Sequence, residues 1–267
     1  MTKNVRKGHA FEDVDAQPDA SSWVEVLDRV RLEPQYEAYK RRVAELLCPQ
    51  PGQRYLEVGT GNGSDALAVA ERFDVSVVGV DVSETMVAEA RRRGLTEALV
   101  ADAHELPFED ESFAGAWSDR TFQHLTTPAT ALRELVRVTS KRGAIVVADP
   151  DYDTQVVSVR DQELAHRVLR FRADQLLRNG TLAHQMPRLF AEAGLSNVRV
   201  EALPVVLRDP TALDNVMGLR DWASVAHERG VLGAEEAERW EQEIGDAVDG
   251  GYFLYAFTVF ITAGARR

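Results

Sequence analysis

The chain has 267 residues, and 45% of them are hydrophobic, which is enough for a sizeable globular core. Its 43 acidic residues outnumber its 31 basic residues, giving a formal net charge of −12. Proteins that grip phosphate backbones usually carry a basic surface, so this balance argues against a nucleic-acid substrate. The single cysteine, Cys48, excludes an internal disulfide bond and suits a reducing compartment. No run of residues approaches the roughly 20 apolar positions of a membrane span, so we expect a cytoplasmic protein without one.

The first 50 residues predict an arm followed by helices. Residues 1–20 contain basic residues but no apolar run behind them, so we expect a flexible arm rather than a secretory signal. Helical periodicity runs from Ser21 to Leu47 with a break at Pro34. We expect residues 21–50 to form a helical lid.

Between residues 53 and 150, short apolar runs alternate with helical segments. The predicted strands cover residues 53–58, 75–80, 97–100, 112–117 and 144–149. The predicted helices cover residues 64–73, residues 84–93 with Ser83 as the N-cap and Gly94 at the end, and a segment that begins at Pro128 with Thr127 as its cap. Strands separated by helices of about 10–15 residues predict a parallel sheet with crossover helices.

After residue 150 the pattern changes to longer helical segments and two late strands. The expected elements are a helix over 159–178 that stops at Asn179–Gly180, a helix in QMPRLFAEAG, a strand over 198–206, helical residues 211–248 with a break between Gly230 and Gly233, and a strand over 252–262. The sequence therefore predicts an α/β fold, with a Rossmann-like, seven-stranded, mostly parallel sheet flanked by helices, a helical cap and an N-terminal helical lid. In a single domain over 21–267, the expected parts are a cofactor-binding core (53–150), cap segments (151–184 and 207–250) and segments that complete the sheet (185–206 and 251–265).

Residues 55–65, YLEVGTGNGSD, place three glycines at alternate positions directly behind the first predicted strand. Glycine in such a turn lets a ligand approach the backbone closely, and the turn after the first strand of an open α/β sheet is a common ligand position. A nicotinamide-binding turn has the pattern G-x-G-x-x-G, which from Gly59 requires glycine or alanine at position 64. Ser64 stands there instead, and this counts against a nicotinamide site.

The sequence EVGTGNG, residues 57–63, resembles the first motif, D/E-x-G-x-G-x-G, of the class I S-adenosylmethionine-dependent methyltransferases. Asp81, at the end of the second predicted strand, is similar to the acidic residue that accepts hydrogen bonds from a ribose. Two longer stretches extend the resemblance, SDRTFQHLTTPATALRELVRVTSKRGAIVVADPD (118–151) and LFAEAGLSNVRV (189–200). The matches cover residues 54–200 in the family order and are most similar to the small-molecule branch, of ubiquinone-, menaquinone- and natural-product type.

The resemblance implies S-adenosylmethionine as the cofactor and S-adenosylhomocysteine as the product. The expected cofactor-binding residues are Glu57, Gly59, Thr60, Gly61, Gly63, Asp81, Val82, Met86, Asp102, Ala103, Arg120 and Tyr39. Among them, Asp102 in the ADAH stretch resembles the family carboxylate that binds the adenine amino group. Taken alone, these residues leave simpler roles open, with Asp81 as a helix cap, Asp102 as the start of a turn and Met86 as part of the core.

A histidine beyond the fourth predicted strand is the leading candidate for a general base. The resemblance places His124 of the QHL stretch near the methyl group, and imidazole is well suited to proton transfer near neutral pH. The alternative role for His124 is to brace its loop through a backbone hydrogen bond. The residues expected to contact the substrate are Tyr36, Gln123, Asp149 and Trp222. The DPDYD stretch (149–153) spaces its acids like the start of a calcium loop but lacks the later glycine and glutamate, so we predict no metal.

Two positions depart from the family pattern. Phe113–Ala114 stand where the fourth strand often has an acid, and Arg142–Gly143 stand where Pro-Gly is usual. The resemblance implies methyl transfer to an oxygen, nitrogen or carbon atom of a small, fairly hydrophobic molecule, in specialised metabolism. The rivals are a protein that keeps the fold for other chemistry such as cyclisation or for binding alone, a nicotinamide oxidoreductase, and a macromolecular methyltransferase. The sequence leaves homo-oligomer formation open.

Overall fold

The computed structural model describes residues 14–16, 21–31, 34–209 and 218–267. Its strands are β1 (Arg54–Val58), β2 (Ser76–Asp81), β3 (Ala98–Val100), β4 (Phe113–Asp119), β5 (Thr139–Val157), β6 (Ser196–Leu207) and β7 (Tyr255–Ala265). They form one seven-stranded sheet in the order β3-β2-β1-β4-β5-β7-β6. The first five strands pair in parallel, and β7 is antiparallel to both β5 and β6. The predicted mostly parallel sheet is therefore confirmed.

Helices cover both faces of this sheet. They are α1 (Ser21–Arg31), α2 (Pro34–Leu47), α3 (Ser64–Phe73), α4 (Glu84–Arg93), α5 (Pro128–Val138), α6 (Gln162–Phe171), α7 (Met186–Glu192), α8 (Asp221–Glu228) and α9 (Ala234–Asp249). The predicted ends of α4 have local causes, because Ser83 Oγ accepts a hydrogen bond from the Met86 N–H and Gly94 ends the helix with a φ of 111°. Among the described residues, no helix combines the length and apolar character needed to cross a membrane.

The central strands are apolar on both sides because each face packs against helices. Leu56 and Ile145 contribute to the core cluster that contains α5 and α7, whereas Val146 and Ala148 contribute to the cluster that contains α2, α3 and α4. All four side chains are fully buried. The chain proceeds from β1 outward to β3 and then returns to β4 on the other side of β1. At such a reversal the loops that follow the two strands diverge, and a crevice forms at their carboxyl ends.

Two expectations about the residues around the central strands are corrected. Strand β5 continues to Val157, so the predicted cap segment 151–184 begins within a strand. Thr127 precedes α5, but its side chain makes no capping hydrogen bond. The predicted bounds of α3 and α4 match the structure.

The helix predicted over 159–178 is also shorter than expected. Helix α6 ends at Phe171, and the chain continues as a π-helical turn over Arg172–Leu176, a local widening that is frequent at functional sites. Gly180 packs so closely on this turn that a side chain there would overlap the Ala173 carbonyl oxygen. The helical residues predicted at 211–217 lie outside the described residues.

Candidate functional site

A cavity of about 420 Å³ opens at the carboxyl ends of the central strands. The predicted site residues in its wall are Tyr36, Glu57, Gly59, Thr60, Gly61, Asp81, Val82, Met86, Asp102, Ala103, Arg120, Gln123, His124 and Trp222. Three predicted residues, Gly63, Tyr39 and Asp149, are not part of the wall. The structure therefore brings most of the predicted residues around one space, from helices and loops that are far apart in sequence.

The first two glycines of the turn form a cradle without side chains. Gly59 and Gly61 have φ values of 78° and 52°, in the left-handed region that favours glycine. A side chain at Gly59 would overlap Thr121, and a Cβ at Gly61 would lie 2.9 Å from Leu27 Cδ1. Both positions therefore require glycine, because neighbouring side chains occupy the space that a Cβ would take, and both contribute backbone to the cavity wall.

The third glycine has a different role from the one predicted. Gly63 precedes α3 with a φ of 76°, and a Cβ there would lie 2.8 Å from Ala90 Cβ on α4. Its missing side chain lets α3 and α4 pack closely. The spacing of the motif alone does not distinguish this packing role from ligand contact.

Asp81 connects the cradle to the end of β2. Its carboxylate accepts hydrogen bonds from the Gly61 N–H at 2.8 Å and from the Ser83 N–H at 3.0 Å. Burial raises the pKa of Asp81, although these N–H groups favour the ionised form. The side chain lies in the wall, at the position predicted to accept hydrogen bonds from a ribose.

Asp102 and His104 form a hydrogen-bonded pair in the wall after β3. Asp102 Oδ1 lies 2.6 Å from His104 Nδ1, and His104 Nε2 accepts a hydrogen bond from the Thr127 N–H at 3.2 Å. An acceptor at Nε2 leaves the proton on Nδ1, which donates to Asp102. Partial burial raises the pKa of Asp102, but the hydrogen bonds from His104 outweigh it and lower the pKa overall. The carboxylate is 63% exposed and can accept further hydrogen bonds.

Glu57 stabilises the loop from beneath. Its carboxylate accepts hydrogen bonds from Thr60 Oγ1 at 2.6 Å and from Trp117 Nε1 at 2.9 Å. Burial raises the pKa of Glu57, and the nearby charge of Asp65 raises it further. These contacts indicate that Glu57 holds the loop in place. Sequence reasoning missed Trp117, which lies on β4, 60 positions away.

A charged cluster lies next to the cradle. Lys40 forms ion pairs with Asp65 and, at 3.1 Å, with Asp119 at the end of β4. Tyr39 is fully buried, and its hydroxyl donates to Asp119 Oδ2 at 3.1 Å. Tyr39 therefore positions Asp119 instead of facing the cavity as predicted. Arg120 has a φ of 53° and packs over the Tyr36 ring at 5.3 Å.

Two buried atoms of this cluster indicate what the cavity binds. Among the described residues, neither Arg120 Nε nor Asp119 Oδ1 has a hydrogen-bond partner, although Arg120 Nε lies 3.7 Å from Asp119 Oδ2, at ion-pair distance. Buried polar groups normally have partners, so an unpaired donor and an unpaired acceptor suggest a ligand with both kinds of group. An amino acid's carboxylate and ammonium group match this pair. With the cradle and the carboxylates of Asp81 and Asp102, the residues fit S-adenosylmethionine.

The N-terminal segments contribute more to this cavity than the sequence indicated. Val14, Trp23 and Leu27 line it, although residues 1–20 were expected to form a flexible arm. Asp15 accepts hydrogen bonds from Ser83 Oγ at 2.8 Å and from the Glu84 N–H at 2.7 Å, so it caps α4. The prediction of a flexible arm is thus wrong for residues 14–16, and its other residues lie outside the described ones.

The candidate base lies on a short helical turn over Phe122–His124, which follows β4. His124 and Gln123 both face the cavity, and Gln123 Nε2 donates to the Arg120 carbonyl oxygen at 3.1 Å. Asp149 lies beneath the turn and is only 1% exposed, so it does not face the cavity as predicted.

Aromatic and aliphatic side chains line another part of the wall. Tyr152 on β5 and Trp222 on α8 both pack on the Arg172 guanidinium, at 3.9 and 4.4 Å from their ring centroids. The wall here also contains Leu176, Leu177 and Val225. We refer to this region, lined by Tyr152, Arg172, Leu176, Leu177, Trp222 and Val225, as the aromatic end.

Two acids of the DPDYD stretch, Asp151 and Asp153, lie close to His184. Asp151 accepts from the Asp153 N–H at 3.0 Å and from the His184 N–H at 2.9 Å, and it contacts His184 Nδ1 at 2.6 Å. Oxygen and nitrogen atoms of these three residues lie within 4.8 Å of one another. The contacts of Asp151 with His184 hold the short helical turn at Ala183–Gln185.

Comparison with known proteins agrees with this geometry. Residues 56–147 match the family described as a methyltransferase domain. An uncharacterised 37.1 kDa protein in transposon TN4556 of Streptomyces fradiae is 34% identical over 260 residues, which are 95% of this chain and 73% of that protein. The O-methyltransferase rstn1 of Aspergillus nomiae is 33% identical over 120 residues, which are 42% of this chain and 53% of that protein. The chain thus spans about half the length of this named methyltransferase.

A solved structure with a different chemistry is also similar. The (4+2)-cyclase SpnF is 26% identical, with a TM-score of 0.52 and coverage of 85% of this chain and 80% of that chain. The fold by itself therefore does not fix the reaction. The glycine cradle, the carboxylates that follow β2 and β3, and the relatives together lead to one assignment: this chain belongs to the class I S-adenosylmethionine-dependent methyltransferases of the small-molecule type.

Proposed function

We propose that this enzyme methylates a hydroxyl group of a small, largely apolar acceptor in specialised metabolism. The observation that carries the proposal is that one cavity contains the glycine cradle, His124 and the aromatic end. A cofactor and an apolar acceptor can therefore occupy the same space, with a titratable side chain in its wall. The net charge of −12 and the single cysteine support a small-molecule substrate and a cytoplasmic location.

The chain's own residues mainly hold and align the reactants in this proposal. Gly59 and Gly61 line the cavity without side chains, Asp81 and Asp102 accept hydrogen bonds, and Arg120 with Asp119 pairs with an amino-acid end. S-adenosylmethionine, when bound, supplies an activated methyl group. Displacement at such a group needs alignment above all, because holding two reactants in line removes much of the entropic cost.

His124 is the proposed proton acceptor. A hydroxyl group is a weak nucleophile until it loses its proton, and an imidazole is a side chain that can take that proton. The apolar side chains of the aromatic end exclude water from the acceptor, so that water does not compete with the acceptor for the methyl group. Oxygen is the proposed acceptor atom because the relative in Aspergillus nomiae is named an O-methyltransferase.

Transfer of a labelled methyl group tests the proposal. The protein is incubated with methyl-labelled S-adenosylmethionine and either 1-naphthol, 1,2-dihydroxynaphthalene or 1-aminonaphthalene, and the products are identified by mass spectrometry. We expect label on oxygen. Label on nitrogen or on a ring carbon would overturn the choice of acceptor atom.

A histidine pair tests the base. His124→Ala is expected to lower kcat about a hundredfold, as removal of a general base does, while the affinity for S-adenosylhomocysteine stays unchanged. His166→Ala is the matched control, since His166 is exposed on α6 outside the cavity wall. A His124→Ala enzyme with full kcat would remove His124 from the chemistry.

The similarity to the (4+2)-cyclase SpnF supports a second candidate, a cyclisation in the same cavity. In that case the protein binds the cofactor, yet no acceptor receives label. Conversion of an unsaturated substrate to a product of equal mass would favour this candidate over methylation.

A further inference from the structure

The turn that carries His124 is held from beneath by two residues distant in sequence. Asp149 Oδ1, within the buried middle part of β5, accepts the Gln123 N–H at 3.4 Å. Asn179 Nδ2 donates to the carbonyl oxygens of Phe122 at 3.1 Å and Leu125 at 2.7 Å. The Asn179 N–H also donates to the Gln123 carbonyl oxygen at 3.1 Å. One residue thus satisfies an N–H group of the turn and the other satisfies its carbonyl groups.

The second oxygen of Asp149 is in a different position. The residue is 1% exposed, and Oδ2 has no hydrogen-bond partner among the described residues. The neighbouring Gln123 is 5% exposed, and its Oε1 likewise has no partner there. Burying an ionised carboxylate with one oxygen left unpaired is costly, and such a group tends to take up a proton.

The charged groups around Asp149 do not change the expectation that its carboxyl group is protonated. Asp119 and Arg120 face it from the end of β4, His124 lies on the turn above it, and Asp151 follows it on β5. Burial raises the pKa of the Asp149 carboxyl well above its usual range, and the charge of Asp119 raises it further. Arg120 and the N–H groups of Gln123 and Phe122 act in the opposite direction without reversing the shift.

We propose that Asp149 is a positioning residue that works as a neutral carboxylic acid, with Oδ1 holding the N–H side of the Phe122–His124 turn while Asn179 holds its carbonyl side. The function of this arrangement is to fix the direction in which His124 faces the cavity. The consequence for kcat rests on the proposed role of His124. The protonation state and the positioning do not.

Substitution by the neutral isostere is the first test. The amide side chain introduced by Asp149→Asn keeps an oxygen for the Gln123 N–H and has no charge, so this variant is expected to keep at least about a third of kcat. Asp149→Leu removes the acceptor and is expected to lower kcat at least tenfold, because the turn is no longer held. If Asp149→Asn loses as much kcat as Asp149→Leu, Asp149 acts as an ionised base and the proposal fails.

The matched substitution is made at Asn179, which holds the carbonyl groups of the turn. Asn179→Asp replaces the two N–H donors of the side chain by acceptors that face the carbonyl oxygens of Phe122 and Leu125. We expect it to lower kcat about tenfold or more while the affinity for S-adenosylhomocysteine stays within twofold. A neutral effect of Asn179→Asp would show that the turn does not depend on this support.

A spectroscopic measurement keeps the proposal testable without turnover. Infrared difference spectra of the wild-type protein and Asp149→Asn, with aspartate labelled by carbon-13, should show the carbonyl stretch of one neutral carboxylic acid at neutral pH. If the spectra show a carboxylate band for Asp149 and no acid band, the claim that Asp149 is protonated is wrong. If no acceptor is methylated but the acid band is present, the proposed function fails and this inference stands.

The pH dependence of stability has a definite sign. For a carboxyl whose folded-state pKa is raised, the stability contributed by the neutral form is complete at low pH and is lost as pH rises through the folded-state pKa. Asp149→Asn lacks this loss, so its melting temperature should gain on the wild-type value as pH rises. A constant difference between the two proteins across the pH range would contradict the proposal.

Discussion

The two ends of the cavity are built in different ways. At the glycine-turn end, the ligand-facing groups come from the ends of β1 and β2 and the loop after β3, and backbone N–H groups fix them, as at Asp81. At the aromatic end, the wall comes from the extension of β5, the π-helical turn and α8, and long-range packing brings these elements together, as at Arg172. The shape of the glycine-turn end is therefore set by the backbone, and the shape of the aromatic end is set by packed side chains.

This difference implies a division of labour. A site fixed by backbone geometry tolerates few substitutions, whereas a wall of packed side chains can change shape while the rest of the fold stays intact. We therefore expect substitutions at the glycine turn to change cofactor affinity and substitutions at the aromatic end to change the handling of the acceptor. Each of the following predictions tests that separation.

The largest effect is expected at Gly59. Gly59→Ala places a side chain against Thr121 in a left-handed backbone conformation, so the cradle must distort. We expect the affinity for S-adenosylhomocysteine, measured by isothermal titration calorimetry, to fall about a hundredfold. Gly52→Ala is the control, because Gly52 has a similar φ of 74° and nothing lies within 4 Å of its added Cβ. Equal losses in both variants would mean that the backbone strain matters and the cradle does not.

Asp81 should have the next largest effect. Asp81→Ala removes the acceptor for the Gly61 and Ser83 N–H groups and a proposed contact to the cofactor. The same titration should show a loss in affinity of about ten- to a hundredfold, as for a buried hydrogen bond to a charged group. Asp110→Ala, which removes only a surface ion pair with Arg137, should bind normally. Unchanged binding by Asp81→Ala would remove Asp81 from the cofactor site.

Tyr152 tests the aromatic end. Tyr152→Leu removes the ring that packs on Arg172, and we expect the acceptor's KM to rise about tenfold, consistent with loss of a partly desolvated cation–π contact. Tyr152→Phe keeps the ring and should have a smaller effect. The affinity for S-adenosylhomocysteine should stay within twofold in both. A parallel loss of cofactor affinity would break the separation between the two ends.

The smallest effect is expected at Asp15. Asp15→Ala removes the side chain that caps α4 and keeps Val14 against the cavity. Loss of a helix cap costs about 1 kcal/mol, so we expect S-adenosylhomocysteine to bind about threefold to tenfold more weakly, mainly through faster dissociation in stopped-flow measurements. Glu37→Ala, at an exposed ion pair on α2, is the control. If dissociation is equally fast in both variants, the capping contact does not retain the cofactor.

The same division explains what the sequence could predict. The positions of the glycine turn and of Asp81 could be predicted because each follows the end of a strand. Strand ends and the few residues after them are visible in local sequence patterns. The role of Gly63 was misassigned, because contact with a ligand and contact with Ala90 both require a missing side chain. The seven strands followed from apolar runs and turn residues, but the full extent of β5, from Thr139 to Val157, was missed.

The rest depended on contacts that no local pattern records. Asn179 supports Phe122 across 57 positions, and Asp15 caps α4 across 68 positions to Ser83. Tyr39 and Asp149 were expected to face the cavity, yet both are buried next to it and position other groups. A polar residue near a site can face the ligand or support a neighbour, and only the packing of the whole chain decides between these roles.

The most direct test of the account is a calorimetric titration of the wild-type protein with S-adenosylhomocysteine. We predict saturable binding with one nucleoside per chain. A well-folded protein that takes up none of this nucleoside would contradict the assignment of the glycine cradle and of every residue grouped around it.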